Sequence, residues 1–368
     1  MSNVIRRRLG AYGRAAIRRV VDPVAYIPWG ARPPTDAPSV GLVGFYGWGN
    51  YGDELFGEVF REHFADRVRL AKVLNPDAGR WRGRAVGPAV RRSDAVLIGG
   101  GDIVIPWATS SRYWDRTFLR RPVFVTGVGV PTFRETNPGT VEALQRFFQH
   151  PSVRYIGTRD ATSSAWVERE LRPAVPVVTA PDLVCGLTLP PVVRPADPPI
   201  FGVAVRRRAQ PDDLTHVQRL CERAISLGYR VRRIVLATGR TRLRDLEATA
   251  ALGFPDTELI SSDDLAAITR AIGECTAMAS MKFHGVVVAS MYGVPSLVMM
   301  LTAKNRYFVE QLGRADLACS YGSADLPDHL TRDMTPISPE VVDRLRTGAV
   351  ESVSDLRDRI LATVASGS

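Results

Sequence analysis

Lysine is almost missing from this chain. Only Lys72, Lys282 and Lys304 carry one, and the other 45 of its 48 basic residues are arginine. A sequence that takes arginine wherever either cation serves keeps lysine where a compact ammonium is needed, because the two side chains are not interchangeable. Cysteine is scarce too. Its four residues, Cys185, Cys221, Cys275 and Cys319, are widely spaced with no CxxC or CxxH pattern. This excludes a disulfide or zinc-ribbon scaffold and reads as reduced core thiols in a reducing compartment. The longest apolar tract, Val286 to Leu301, is broken by Ser290, Gly293, Pro295 and Ser296, and it is shorter than the about 20 residues a membrane span needs. There is no N-x-S/T sequon and no apolar leader, so the expected location is cytoplasmic. Also absent are a P-loop lysine, H-E-x-x-H, G-x-S-x-G and any Cys/His metal cluster. The expected chemistry uses no metal and depends on positioned cations and acid/base groups.

What is present suits a soluble protein of two domains: 368 residues, 45% of them apolar and 23% charged. The net charge of +10 is uneven, since Arg6, Arg7, Arg8, Arg14, Arg18 and Arg19 all precede the first acidic residue, Asp22. Val4, Ile5, Leu9, Tyr12, Ala16, Val20 and Val21 recur among them at helical spacing. A basic amphipathic helix can lie on an anionic membrane surface, at the inner face of the membrane; the same arm can equally be solvated. Nucleic acid is not an expected partner, because the remaining charge is mixed and no zinc or RNA-recognition motif appears.

Residues 1–37 read as this basic arm with a Pro-rich exit. Short apolar runs then alternate with helical patterns over 38–189, with strands expected at Ser39–Tyr46, Val68–Leu74, Asp94–Ile98, Val123–Gly127, Val153–Gly157 and Val177–Thr179. The Pro-dense segment 190–199 reads as a linker. The alternation restarts over 200–338, and 339–368 reads as a C-terminal helix that packs back across both domains. The fold class is α/β: two Rossmann-like domains, each a parallel sheet covered by helices, facing across a cleft that receives ligands at the carboxyl ends of the strands.

Several constellations sit at those strand ends. Ser280-Met281-Lys282-Phe283-His284-Gly285 places a cation and an imidazole where a strand turns into a helix. The helix start attracts anions, so the site suits an anionic substrate that must also exchange a proton. Gly44-Phe45-Tyr46-Gly47-Trp48-Gly49-Asn50-Tyr51-Gly52-Asp53-Glu54-Leu55 lies at the end of the first strand. Capping by Asp53 explains one acidic residue, whereas the glycines, Asn50 and the aromatics together point to a ligand that the backbone approaches closely. The spacing is not G-x-G-x-x-G and no acidic residue ends the second strand, so a dinucleotide is not expected. Gly99-Gly100-Gly101-Asp102 is either a tight turn or a ligand cradle. Arg159 either enters the cleft or pairs with Asp160. Of Arg206, Arg207 and Arg208, the first is best placed to project into the cleft and the other two read as a solvated loop. Lys304 and Arg306 add cations after another strand, giving the second domain the means to bind phosphate or carboxylate.

In order and spacing these residues resemble the polysaccharide pyruvyl transferase family, from about Val40 to Gly313. The resemblance rests on Gly47 through Glu54, Ile98-Gly99-Gly100-Gly101, Gly127-Val128-Gly129, Thr158-Arg159-Asp160, Ala180-Pro181-Asp182 and Ser280 through Pro295. It implies a GT-B-like fold and transfer of a pyruvyl ketal from phosphoenolpyruvate, a co-substrate rather than a bound cofactor, to a sugar of a polysaccharide or glycolipid precursor. His284 would be the general acid and Asp53 or Glu54 the base. Arg206 matches a donor-binding arginine, and Arg206, Lys282, Lys304 and Arg306 would hold the donor and its leaving phosphate. Asn50, Tyr51, Gly99, Gly100, Gly101, Asp102 and Arg159 would line the acceptor side. Many members have arginine where this chain has Lys282, and lysine cannot form a bidentate fork to a carboxylate. Two other readings fit the architecture: a glycosyltransferase using a nucleotide sugar, for which Gly293-Val294-Pro295 is equally suitable, and a non-catalytic carbohydrate-binding module.

Overall fold

The structure, a computed structural model, describes residues 27–28, 36–64, 66–73, 82–195, 197–207, 213–332 and 334–366. Almost all of the basic arm, Arg208 and Asn75-Pro76-Asp77 lie outside these residues. Short apolar runs become strands, and those at the centre of each sheet are buried on both faces, as expected of parallel sheets with helices on each side. The first sheet holds β1 (Ile27–Pro28), β2 (Ser39–Val43), β3 (Arg69–Lys72), β4 (Ala95–Gly101), β5 (Val123–Val128), β6 (Val153–Thr158) and β7 (Val177–Thr179), in the order β1-β3-β2-β4-β5-β6-β7. All its pairings are parallel except that of β1 with β3. The second sheet, all parallel, holds β8 (Ile200–Ala204), β9 (Arg230–Ile234), β10 (Glu258–Ile260), β11 (Ala277–Ser280) and β12 (Ser296–Val298), in the order β10-β9-β8-β11-β12.

Strand order fixes where a ligand can enter. Each sheet reverses direction once, between β2 and β4 in the first and between β8 and β11 in the second. Such a switch point leaves a crevice at the carboxyl ends of its two strands. The loops leaving β2 and β4 carry Gly47 through Glu54 and Gly99 through Asp102, and those leaving β8 and β11 carry Arg206 and Lys282 with His284.

The helices are α1 (Tyr51–Phe64), α2 (Arg82–Arg91), α3 (Pro138–Phe148), α4 (Ala161–Trp166), α5 (Thr215–Ser226), α6 (Gly239–Ala250), α7 (Leu265–Gly273), α8 (Phe283–Met291), α9 (Ala303–Gln311) and α10 (Pro339–Ser366). One buried cluster joins the lobes, with Leu42, Tyr51 and Phe56 of the first continuous with Val203, Met281 and Phe283 of the second. A separate cluster, including Ile98, Val125 and Phe148, fills the other face of the first sheet. The C-terminal helix α10 lies against α1 and the Leu183–Gly186 turn of the first lobe and against α8 of the second. Among the described residues no helix is long and apolar enough to cross a membrane.

Candidate active site

At the second switch point β11 passes into α8 through a turn closed by Ser280, whose hydroxyl accepts from Lys282 N (3.0 Å) and donates to Lys282 O (2.8 Å). Lys282 is the cap residue of α8, and no side chain caps the first-turn amides. Those N–H groups give this end of the cleft a positive partial charge. The Lys282 ammonium donates to Leu236 O at 2.6 Å and forms an ion pair with Asp245 of α6. Burial lowers its pKa, an effect that Asp245 opposes. The cation expected to wait for a donor carboxylate is therefore already partnered by a carboxylate of its own lobe.

At the first switch point the glycine-rich loop performs a task that its sequence did not announce. Gly49 has φ +92°, and a Cβ there would lie 2.0 Å from Thr238 O. Its carbonyl accepts from Thr238 N (2.7 Å) and from the Thr241 hydroxyl (2.6 Å). The close approach that glycine permits is thus to the backbone of the facing lobe. Gly52, in the first turn of α1, plays the same part for a side chain: the His284 ring lies against it. Tyr51 is wholly buried with its hydroxyl 2.7 Å from Thr269 Oγ1, so this phenol also ties lobe to lobe.

Asp53 and Glu54 diverge because neighbouring helical residues point about 100° apart. Asp53 borders the cleft and accepts from the Asn50 amide. Burial raises its pKa above the ordinary carboxylate range, partly offset by Asn50, His284, Lys304 and Arg159. Glu54 turns back instead, its Oε1 accepting from Gly49 N at 2.9 Å, and does not line the cleft.

Between the two lobes runs a chain of alternating charges. Lys304 donates to Asp102 Oδ2 at 2.7 Å, and Asp102 also receives Arg159. Arg159 Nη1 donates to Asp182 Oδ2 at 3.2 Å, and the same oxygen lies 3.5 Å from His284 Nε2. Phe283 supports the chain from below: the Arg159 guanidinium lies 4.8 Å, and the Lys304 ammonium 5.5 Å, from its ring centre. Burial alone would raise both carboxyl pKa values. Lys304 and Arg159 nevertheless hold Asp102 well below the usual range, and His284 and Arg159 hold Asp182 below it. Both aspartates are therefore ionised at neutral pH, and the cluster is close to electrically balanced. The His284 side chain is 11% exposed and borders the cleft, with Nε2 toward Asp182 and Nδ1 toward Gly52.

The cavity enclosed by these groups has a volume of about 930 Å³. It brings together Asn50, Tyr51, Asp53, Gly101, Asp102, Arg159, Arg206, Lys282, His284 and Lys304 from both lobes. Gly99 and Gly100 are outside the lining: β4 continues through them, and Gly99 O accepts from the Tyr46 hydroxyl at 2.7 Å. Arg306 is exposed on α9, its Nε 3.5 Å from Leu301 O, and does not line the cavity either. Arg207 pairs with Glu247 at the rim. Four participants were not singled out from sequence: Asp182, Asp245, Arg244 and Phe283. Asp182 and Phe283 each belong to a recognised motif without an assigned role, and Arg244 and Asp245 read as ordinary positions on a helix. Among the described residues, no carboxylate pairs with Arg206 or Arg244, and no group of three or more His, Cys, Asp or Glu is arranged to hold a metal ion.

The fold recurs among solved structures of low sequence identity. UDP-N-acetylglucosamine 2-epimerase from Rickettsia bellii superposes with a TM-score of 0.54 at 13% identity, over 89% of this chain and 97% of that one. HepE from Anabaena, solved with UDP-glucose, gives 0.53 at 10%, over 89% and 100%. The wall teichoic acid polymerase TagF gives 0.51 at 9%, over 89% of each. These likenesses show the GT-B-like architecture and nothing finer. No curated relative matches the sequence. The family profile described as polysaccharide pyruvyl transferase matches residues 50–300, which take in Asn50 through Glu54, Asp102, Arg159, Asp182 and the His284 helix. With a match over more than half its length, the chain belongs to the polysaccharide pyruvyl transferase family.

Proposed function

We propose that the chain transfers the pyruvyl unit of phosphoenolpyruvate, as a cyclic ketal, to a sugar of a polysaccharide or glycolipid precursor and releases phosphate. The observation that carries this reading is the position of His284. It stands at the head of an uncapped helix, backed by the Asp182 carboxylate, in a cleft that also holds Arg206 and Arg244.

Phosphoenolpyruvate is small and densely anionic. Arg206 and Arg244, which no carboxylate neutralises among the described residues, supply the charge to hold it, with the first-turn amides of α8 beside them. In the first step a sugar hydroxyl adds to C2 of the enol while protonated His284 delivers a proton to C3, which becomes the methyl group. Asp53 takes the proton of that hydroxyl. Its raised pKa makes it a stronger base than an exposed aspartate, and it faces His284 from the other lobe. In the second step a neighbouring hydroxyl displaces phosphate from C2, the C–O bond to phosphate breaks, and the leaving group carries away that hydroxyl's proton. Lys304 and Arg159, pre-positioned by Asp102 and Asp182, stabilise the developing charge without reorganising. Lys282, held by Asp245, shapes the donor end rather than clamping a carboxylate.

The test is phosphate release from phosphoenolpyruvate in the presence of a panel of glycans. Wild type should release phosphate only with an acceptor, and His284→Ala should lose about 10²–10⁴ of the rate. Release of a nucleoside diphosphate from a sugar nucleotide, with none from phosphoenolpyruvate, would overturn the reading in favour of glycosyl transfer.

A further inference from the structure

A smaller side pocket of about 200 Å³ opens beside the main cavity and shares two lining residues with it, Asp102 and Lys304. Its outer wall is Phe133, which is 72% exposed, the highest exposure among the described aromatic core-type residues. Phe133 meets Trp107 edge to face at 4.8 Å between ring centres, and the Arg134 guanidinium lies over both rings, at 5.8 and 5.9 Å.

This wall is built rather than loose. Trp107 follows β4 and Phe133 follows β5, adjacent strands of the first sheet. The two loops are joined where Asn137 N donates to Pro106 O at 3.0 Å, and Asn137 itself caps α3 by accepting from Thr140 N at 3.1 Å. Phe133 shares the pocket lining with Thr132, Asp160 and Thr162, while Trp107 backs the ring from outside the lining. An aromatic side chain together with hydroxyl-bearing residues and the charged Asp102 and Lys304 suits a pyranose, which presents C–H groups on one face and hydroxyls around its edge. The volume is comparable with one hexose unit, too small for a folded peptide segment.

We propose that this pocket is a second sugar subsite, holding the unit next to the one that is modified, so that the enzyme acts on a glycan chain and reads at least two residues of it. Identifying the neighbouring unit as the one that receives the ketal rests on the pyruvyl-transfer reading; the subsite itself does not. Phe133 is a binding residue, and its exposure means that truncation leaves the core intact.

The experiment compares wild type, Phe133→Ala and Phe133→Tyr on an array of immobilised monosaccharides and their matched oligosaccharides, with phosphoenolpyruvate binding measured separately by calorimetry. Wild type should retain oligosaccharides over matched monosaccharides. Phe133→Ala should weaken that retention about tenfold, Phe133→Tyr should restore it, and donor binding should be equal in all three. Equal retention by Phe133→Ala, or no oligosaccharide retained by wild type, overturns the subsite. So does a Phe133-dependent loss confined to phosphatidylglycerol vesicles carrying polyprenyl phosphate, which would make the pocket a lipid site. Retention that depends on Phe133 in a protein that does not bind phosphoenolpyruvate would refute pyruvyl transfer and leave the subsite standing.

Discussion

Gly52 and His284 come from opposite lobes, and a methyl group placed on Gly52 would lie 1.7 Å from the imidazole Nδ1. The first turn of α1 is therefore the seat of the proposed acid, and the glycine is required by the closeness of the two lobes rather than by backbone conformation. Gly52→Ala must either rotate the imidazole away from Asp182 or part the lobes. The expected result is a fall in turnover of about 10², the usual consequence of misplacing a reacting group by about 1 Å, with a stability loss of about 1–3 kcal/mol from overpacking. Steady-state kinetics and thermal unfolding measure the two. A variant with wild-type turnover would show that the imidazole position is immaterial.

Asp182 touches no open part of the cleft, so it is a positioning residue: it orients His284 and pairs with Arg159. Asp182→Asn should lower kcat about 10²-fold and leave KM for phosphoenolpyruvate within about twofold, because donor binding does not involve it. Its carboxyl is held below the ordinary value, so its contribution to stability is present above the unfolded pKa of about 4 and is lost as pH falls through the lower folded value. Wild type should unfold at a higher temperature than Asp182→Asn at pH 7, and the two should converge in acid. Equal melting temperatures at every pH would contradict the ion-pair chain.

Asp53 has the opposite sign. Burial raises its pKa, so the charged carboxylate opposes folding: its favourable share is complete below the unfolded value and disappears as pH rises through the folded one. Asp53→Asn should therefore melt higher than wild type at pH 8, match it near pH 3, and lose about 10²–10⁴ of activity if the residue is the base. Higher stability with full activity would remove Asp53 from the mechanism.

The Lys282 and Asp245 pair is buried, with side chains 15% and 9% exposed. Removing one partner leaves an uncompensated charge, so Lys282→Met or Asp245→Leu alone should cost about 3–5 kcal/mol. The double variant should recover most of that loss. Denaturant unfolding of the four proteins forms the cycle, and additive losses would show that the two groups do not interact.

Most of the scaffold could be read from the chain because parallel strands buried on both faces appear as uninterrupted apolar runs. Ala95-Val96-Leu97-Ile98 is one, although the sequence reading ended it before the three glycines that the strand includes. Helix α2 was missed: Arg82–Arg91 contains Pro88 and two glycines, which weaken a helical pattern. His284, Asp53, Arg206 and Lys304 were recognisable as charged groups beside strand ends, and all four line the cleft. What could not be read was what each lobe does to the other. Gly49 and Gly52 look like a ligand cradle in isolation, yet their close neighbours are Thr238 and His284 of the second lobe. Asp245 and Arg244 look like the polar face of an ordinary helix until α6 is placed beside Lys282 at the edge of the cleft. Glu54 and Asp53 differ only by helical phase, which depends on where the first turn starts.

The most direct test of pyruvyl transfer is the mass of the acceptor glycan after incubation with phosphoenolpyruvate, once in water and once in D2O. A cyclic ketal adds about 70 Da in water and about one more in D2O, because a proton from solvent, carried by an acid such as His284, ends in the new methyl group. The predicted result is that pair of gains with one phosphate released per glycan. A gain matching a whole hexose, or no gain while phosphoenolpyruvate stays intact, would contradict the account.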